Sequence, residues 1–364
     1  MNIRNSDESS RPSIFRGRTW LVWLLLAATV LLAAPSIGRV NADMISAAPD
    51  DPNIHYVGRW DTSVPGSYRG YWAGTSFTTG FTGTSAKLRL GHAEPPAHSN
   101  LYVSVDGGPF KLYRNASGWV NVTPERLLPG EHTLTVVARD IRDTIVFRGL
   151  LLDEGAETLA APKKDRWIEF IGDSITVGYK NPDVALDSYA WLTGEKLGAD
   201  HTQIAYTGIC LTDGVSCNGL PPRGMSEQYF KLQPLHEEDS PDWNFEGRQP
   251  DAVVINIGTN DGRARIDGET FTRTYVRFLE RLREVHPDAE LVVVRPLNGY
   301  MNVETQKAAE LRLAAGDKKL HVIDTNGWLS ETDGDYSDGL HPSVKGNEKM
   351  ADRLSEALID ILGE

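Results

Sequence analysis

The chain has 364 residues but only two cysteines, and its 37 Lys and Arg are outnumbered by 50 Asp and Glu. Two cysteines cannot build a disulfide scaffold of the kind that holds very small secreted domains. A formal net charge of −13 argues against a nucleic-acid partner, because neutralising phosphates takes a basic surface. There is no fixed-period repeat, no low-complexity tract and no paired Cys/His spacing of a zinc site. What remains is ordinary globular composition, 40% hydrophobic and 24% charged, at a length that suggests about two domains.

There is one long apolar run, and it sits at the start. Arg4, Arg11, Arg16 and Arg18 precede an uncharged stretch from Thr19 to Gly38, and small residues follow up to Ala42. A basic start, an apolar core and a small-residue end read as a secretory signal over residues 1–42. The alternative is an uncleaved anchor, since such a stretch is just long enough to span a bilayer, although Pro35 and Gly38 shorten its best helical part. Cleavage would leave a still more acidic chain with no further run of this kind, secreted or periplasmic and without an obligate membrane partner. In an oxidising compartment Cys210 and Cys217 can close a short loop; otherwise they are two buried or free thiols.

The pattern changes near residue 160. Residues 50–157 read as short β-runs broken by Gly and Pro, among them Ala86–Leu90, Leu101–Val105, Trp119–Val122, His132–Ala138 and Ile145–Leu152. With turn signals at Asp106-Gly107-Gly108 and Pro129-Gly130, this predicts an all-β jelly-roll sandwich. Residues 158–165 read as a linker around Pro162. From 166 to 364 strands and helices alternate. Trp167–Ile171, Ala252–Ile257, Leu291–Val294 and His321–Ile323 read as strands. Asp187–Leu197 reads as a helix, and Phe271, Tyr275, Phe278, Leu279, Leu282 and Val285 fall on one helical stripe, as do Met350, Leu354, Leu358 and Ile361. That alternation predicts a parallel sheet covered on both faces, with chemistry at the carboxyl ends of its strands.

Three polar clusters fall at such places: Gly172-Asp173-Ser174, Gly258-Thr259-Asn260-Asp261 and Asp338-Gly339-Leu340-His341. A serine hydroxyl needs a base to become a nucleophile, and His341 is suited to be that base near neutral pH. Asp338, three residues before it, can hold the imidazole tautomer, and Asn260 can offer an N–H to a developing oxyanion. Each cluster alone is ordinary turn or cap chemistry; together, in this order, they point to catalysis. The other histidines lack such company, and His286, before Pro287, reads as a cation at a helix end.

The three clusters resemble the blocks of the GDSL or SGNH hydrolases, over about 200 residues from Trp167 onward. The resemblance implies an α/β/α flavodoxin-like fold, with Ser174 as nucleophile, Asp338 and His341 completing the triad, and the Ser174 N–H and Asn260 in the oxyanion hole. It also implies a glycine N–H from a second block, for which Gly208 is the best match, with Tyr206 standing where an Asn is common. Ile175 replaces the usual Leu of the first block.

The N-terminal region is similar to carbohydrate esterase family two, through Gly58-Arg59-Trp60-Asp61, Trp72-Ala73-Gly74-Thr75, Phe81-Thr82-Gly83-Thr84, Asp106-Gly107 and Pro129-Gly130-Glu131-His132. That similarity implies a secreted serine esterase, resembling acetyl xylan esterases, that removes acetyl groups from plant or other polysaccharides. No metal and no organic cofactor is expected. Alternatives are another short-chain acyl substrate (O-acetylated peptidoglycan, a lipid or a thioester), or a non-catalytic carbohydrate-binding protein. Trp243 and Trp328 read as aromatic rims for a sugar, or else as core anchors. Oligomeric state is not legible.

Overall fold

The computed structural model describes residues 45–363 other than Pro96 and Glu238; the leader segment read at residues 1–42 lies outside the described residues. The N-terminal domain consists of β1 (Ile54–Val64), β2 (Ser67–Gly83), β3 (Ala86–Leu90), β4 (Leu101–Val105), β5 (Lys111–Tyr113), β6 (Gly118–Asn121), β7 (Gly130–Ala138), β8 (Ile145–Leu152) and β9 (Thr158–Leu159). Among the described residues these pair into one antiparallel sheet of order β5-β4-β7-β2-β8-β3-β6, with β1 and β9 also on β2.

The strand β2 explains how one sheet can curl around its own core. Tyr68–Gly70 pair with β8, whereas Ser76–Gly83 pair with β7. Between the two stretches Trp72 and Gly74 take φ of 76° and 75°, which bends the strand. The enclosed core is built from Phe77, Phe81, Leu88, Leu134, Phe147 and Leu150. At its far end β9 adds Thr158–Leu159 to the sheet, inside the segment that reads as a linker.

The C-terminal domain is a parallel sheet of β10 (Trp167–Gly172), β11 (Asp200–Ala205), β12 (Ala252–Asn256), β13 (Glu290–Val294) and β14 (Leu320–Ile323), in the order β11-β10-β12-β13-β14. Its helices are α1 (Ser174–Val177), α2 (Tyr189–Lys196), α3 (Met225–Gln228), α4 (Thr259–Arg263), α5 (Gly268–Val285), α6 (Asn302–Ala314) and α7 (Val344–Leu362).

Side chains alternate across a strand, so each face of the sheet needs its own cover. Val253, Ile255, Leu291 and Val293 pack under Phe271, Tyr275 and Leu279 of α5 and Ala308 of α6. Ile168, Phe170, Val254 and Val292 pack under Tyr189 of α2 and Met350, Leu354 and Leu358 of α7.

The two domains share a core. Tyr71, Trp72 and Ala73, at the bend of β2, belong to the same buried cluster as Ile204, Ala205 and Leu232. Trp72 Nε1 donates to the Leu232 carbonyl at 2.9 Å. Gly74 lies flat against Gln203 of β11, where a Cβ would meet the Gln203 side chain at 3.2 Å.

From β1, Arg59 crosses the boundary with 1% of its surface exposed. Its guanidinium donates to the carbonyls of Tyr229 and Lys231, lies 3.9 Å from Glu169 and rests among the rings of Trp72, Tyr229, Trp243 and Phe245. Burial lowers the Arg59 pKa, with Glu169 opposing that shift. The Glu169 carboxylate also accepts from Thr202 at 3.0 Å and from the Tyr229 hydroxyl.

His286 ends α5, buried where its sequence position reads as an exposed helix end. It is 2% exposed, with Nε2 2.6 Å from the Tyr229 hydroxyl and Nδ1 2.6 Å from Gln249 Oε1. Burial lowers its pKa, and Glu169, 3.9 Å away, opposes that shift.

Candidate active site

The first polar cluster turns sharply out of β10. A Cβ on Gly172 would meet Thr176 Oγ1 at 2.0 Å and the Asn256 carbonyl at 2.7 Å, so only glycine permits the turn. Asp173 caps α1, with its Oδ1 accepting from the Ile175 N–H at 3.0 Å. Ser174 is the first residue of that short helix, is 4% exposed, and has an N–H with no intrahelical acceptor.

The third cluster meets it across 167 residues of sequence. His341 Nε2 lies 2.9 Å from Ser174 Oγ, and its Nδ1 lies 2.9 and 3.0 Å from the two Asp338 oxygens. Asp338 also accepts from the backbone N–H of His341 (2.9 Å) and of Leu340 (3.1 Å). Burial works against the Asp338 charge, but the His341 backbone and ring outweigh it and hold the carboxyl below its ordinary range.

The His341 loop is tied down at its next residue. The Pro342 carbonyl accepts from Asn181 Nδ2 and from Asn347 Nδ2, each at 3.1 Å. Asn181 lies just past the nucleophile segment and also bonds the Gly178 carbonyl, so one amide fixes both loops.

The Gly258-Thr259-Asn260-Asp261 cluster is joined to the segment after Gly208 by Asp261, whose carboxylate accepts from the N–H groups of Leu211 (2.8 Å) and Thr212 (3.0 Å). This sets Asn260 beside the turn that carries Gly208. Asn260 Nδ2 donates to the Ile209 carbonyl at 2.8 Å and lies 3.5 Å from Asp173 Oδ2. Gly208 itself has φ of 85°, which favours glycine. Cys210 and Cys217 form a disulfide that closes the adjoining loop.

Burial pushes the Asp173 carboxyl up to about 7; the Ile175 N–H opposes this and the nearby Asp261 charge adds to it. A carboxyl whose folded pKa lies above its unfolded value binds more protons folded than unfolded between the two values. Stability therefore falls as pH rises from about 4 to 7. Asp173→Asn, which keeps the capping oxygen, should melt higher relative to the parent at pH 8 than at pH 5. Melting curves at both pH values check this; a constant difference would count against a raised Asp173 pKa.

The two tryptophans are seated elsewhere. Trp243 packs half-buried on the core, with its ring 5.6 Å from the Arg59 guanidinium. Trp328 lines a separate pocket with Asp335 and Lys349. A groove does run along Asp338, lined by Arg263, Asn298, Tyr300, Glu331 and Tyr336. Tyr179, 39% exposed, packs against the catalytic histidine candidate, its ring 5.0 Å from the His341 ring. Sequence reasoning passed over Tyr179 and Tyr300. Their only sequence signal is an aromatic residue on a loop shortly after a strand-end cluster. Among the described residues no group of three or more His, Cys, Asp or Glu could hold a metal ion, and no helix is long and apolar enough to cross a membrane.

Residues 170–349 match the GDSL-like lipase/acylhydrolase family, and residues 56–162 match the carbohydrate esterase 2 N-terminal domain. The fold and these matches define the class: the chain is a carboxylic ester hydrolase built on a GDSL-type domain.

The relatives narrow that class. A cellulase/esterase of Acetivibrio thermocellus is 29% identical over 86% of this chain, which spans 40% of that protein's length. An acetylxylan esterase/glucomannan deacetylase of Cellvibrio japonicus is 26% identical over 80% of this chain and 85% of its own. The structure of a family two carbohydrate esterase from Clostridium thermocellum, in complex with cellohexaose, superposes with a TM-score of 0.75 at 27% identity, over 85% of this chain and 99% of that one. With both of its domains matched, the chain belongs to the two-domain carbohydrate esterases of family two.

Proposed function

We propose that this protein is a secreted deacetylase of plant polysaccharides acting through an acyl-enzyme on Ser174. The observation that carries the reading is the unbroken line from Asp338 through His341 to Ser174 Oγ, with Asn260 beside it.

His341 Nε2 takes the Ser174 proton as Oγ adds to the acetyl carbonyl. The resulting oxyanion is met by the N–H groups of Ser174 and Gly208 and by Asn260 Nδ2. His341 then returns the proton to the sugar oxygen as the C–O bond breaks. Water, deprotonated by His341, attacks the acetyl-serine, and acetate leaves with Ser174 restored. Asp338, held anionic, keeps the ring tautomer and balances the imidazolium. Tyr300 on the groove beside Asp338 and Tyr179 against His341 suit a chain-like sugar, because aromatic rings present flat apolar faces. The likeness to a cellulase/esterase and an acetylxylan esterase/glucomannan deacetylase supports the same substrate class. The leader-like residues 1–42 are the basis for reading the protein as secreted.

The test is acetate release from acetylated xylan and acetylated glucomannan by residues 43–364, beside a short-chain aryl acetate. Release from a polysaccharide supports the reading. Aryl acetate cleavage alone would keep the esterase and remove the polysaccharide. Polymer binding with silence in both assays would favour a non-catalytic carbohydrate-binding protein. In the same assays Asn260→Ala should lower turnover by roughly 10²-fold to 10³-fold. Turnover within about twofold of the parent would remove Asn260 from the oxyanion hole.

A further inference from the structure

The loop closed by Cys210 and Cys217 delivers a residue that neither the four catalytic blocks nor the mechanism above uses. Asn218 directly follows Cys217 and takes φ of 51°, a left-handed conformation that Asn tolerates better than most residues. Its Nδ2 lies 2.8 Å from the Gly208 carbonyl and 3.0 Å from Asn260 Oδ1. An amide nitrogen has two hydrogens, and here each has an acceptor. Both acceptors belong to residues assigned to the oxyanion hole.

An asparagine amide has nearly the same shape in either of two flipped orientations, so its neighbours decide which end donates. The Asn218 N–H can face Asn260 only if Asn260 presents its oxygen there. The Asn260 nitrogen is then turned the other way, toward Ile209 and the Asp173–Ser174 turn. The Ile209 carbonyl favours the same orientation, so two contacts share the task. The second hydrogen of Asn218 meanwhile ties down the carbonyl of Gly208, on the turn whose N–H serves the same oxyanion.

We propose that Asn218 is a positioning residue for the ester hydrolysis, fixing the donor orientation of Asn260 and the Gly208 turn, and that the Cys210–Cys217 disulfide holds it in place. This rests on the assignment of Gly208 and Asn260 to the oxyanion hole. Asn218 is exposed at the mouth of the site, where water competes for its hydrogen bonds, and the disulfide supplies the restraint that burial does not.

The experiment compares Asn218→Ala, Asn218→Asp, Ser174→Ala and Asn260→Ala on a short-chain aryl acetate, with kcat and KM measured from pH 5 to 9. Asn218→Ala should lower kcat by about tenfold, less than a lost oxyanion donor, because Ile209 still orients Asn260; KM should stay within about twofold. Asn218→Asp should be worse, near 10²-fold at pH 8, because a carboxylate can only accept and would invite the Asn260 nitrogen to flip toward it.

A merely structural role would lower the melting temperature of the two Asn218 variants and leave the kcat of the folded enzyme unchanged. Replacing both cysteines by Ala should lower kcat in the parent but little further in Asn218→Ala, since the two changes act through one contact. Additive losses would overturn the part assigned to the disulfide.

If Ser174→Ala and Asn260→Ala are impaired while both Asn218 variants keep the parental kcat, the inference falls and the esterase reading stands. If Ser174→Ala remains active, the esterase reading itself has failed.

Discussion

Ser174→Ala should lose 10³-fold to 10⁶-fold of turnover on both acetylated polysaccharide and aryl acetate, on the order of what removing a serine nucleophile costs elsewhere. The size follows from the geometry. His341 Nε2 lies 2.9 Å from Ser174 Oγ, so without that oxygen the base has no serine nucleophile to activate. The oxyanion donors survive the change, and they set the residual rate rather than a true zero. Binding should survive as well, since the groove beside Asp338 and the rings of Tyr179 and Tyr300 are untouched. The variant should therefore hold an acetylated oligosaccharide about as tightly as the parent, measurable by calorimetry. Turnover within tenfold of the parent would remove Ser174 from the chemistry.

The second large effect concerns stability. Arg59→Ala should destabilise the protein by about 3–5 kcal/mol, the range for breaking a buried ion pair from one side. Arg59 is fully enclosed, and its removal leaves Glu169 buried with the Thr202 and Tyr229 hydroxyls and, 3.9 Å away, His286 to meet its charge, together with two carbonyls that lose their donor. For a protein of this size that corresponds to a fall in Tm of roughly 10 °C. Exchanging both partners, Arg59→Met with Glu169→Gln, should recover part of the loss, because no uncompensated charge remains. A single variant that melts with the parent would show that Arg59 does not hold the domains together.

The two-domain fold class and the three polar clusters were legible in the sequence for a physical reason. Each catalytic block is local: a few polar residues at the end of an apolar strand. Asp338 and His341 are even three residues apart. Ser174 reaches His341 across 167 positions, but both lie at strand or helix ends, and that placement is what a parallel sheet brings together.

Contacts made by single residues over long separations left no such trace. Arg59 and Glu169, or Asn218 and Asn260, show no periodicity and no motif. The strand β11 also went unread, because His201, Thr202 and Gln203 are polar, and they are buried only because α2, β2 and β10 cover them. The 17 residues of β2 looked like several short runs, since Gly70, Gly74 and Gly80 interrupt the apolar alternation. The helix α6 ends in Ala-Glu-Leu-Arg-Leu-Ala and exposes Leu311 and Leu313, which blurs the helical stripe. Trp243 reads from its polar surroundings as either a sugar rim or a core anchor, and its ring lies 5.6 Å from the Arg59 guanidinium.

The bend of β2 bears on how such an enzyme can be taken apart. Tyr71, Trp72 and Ala73 fill the core of the hydrolase domain, and Gly74 lies on β11, the edge strand of its sheet. A chain cut between the domains would bare an apolar hollow and uncover a sheet edge, the combination that drives strands of different molecules to pair. The β domain is therefore no detachable cassette: exchanging it for a different module would require the incoming module to bring its own Trp72 and Arg59.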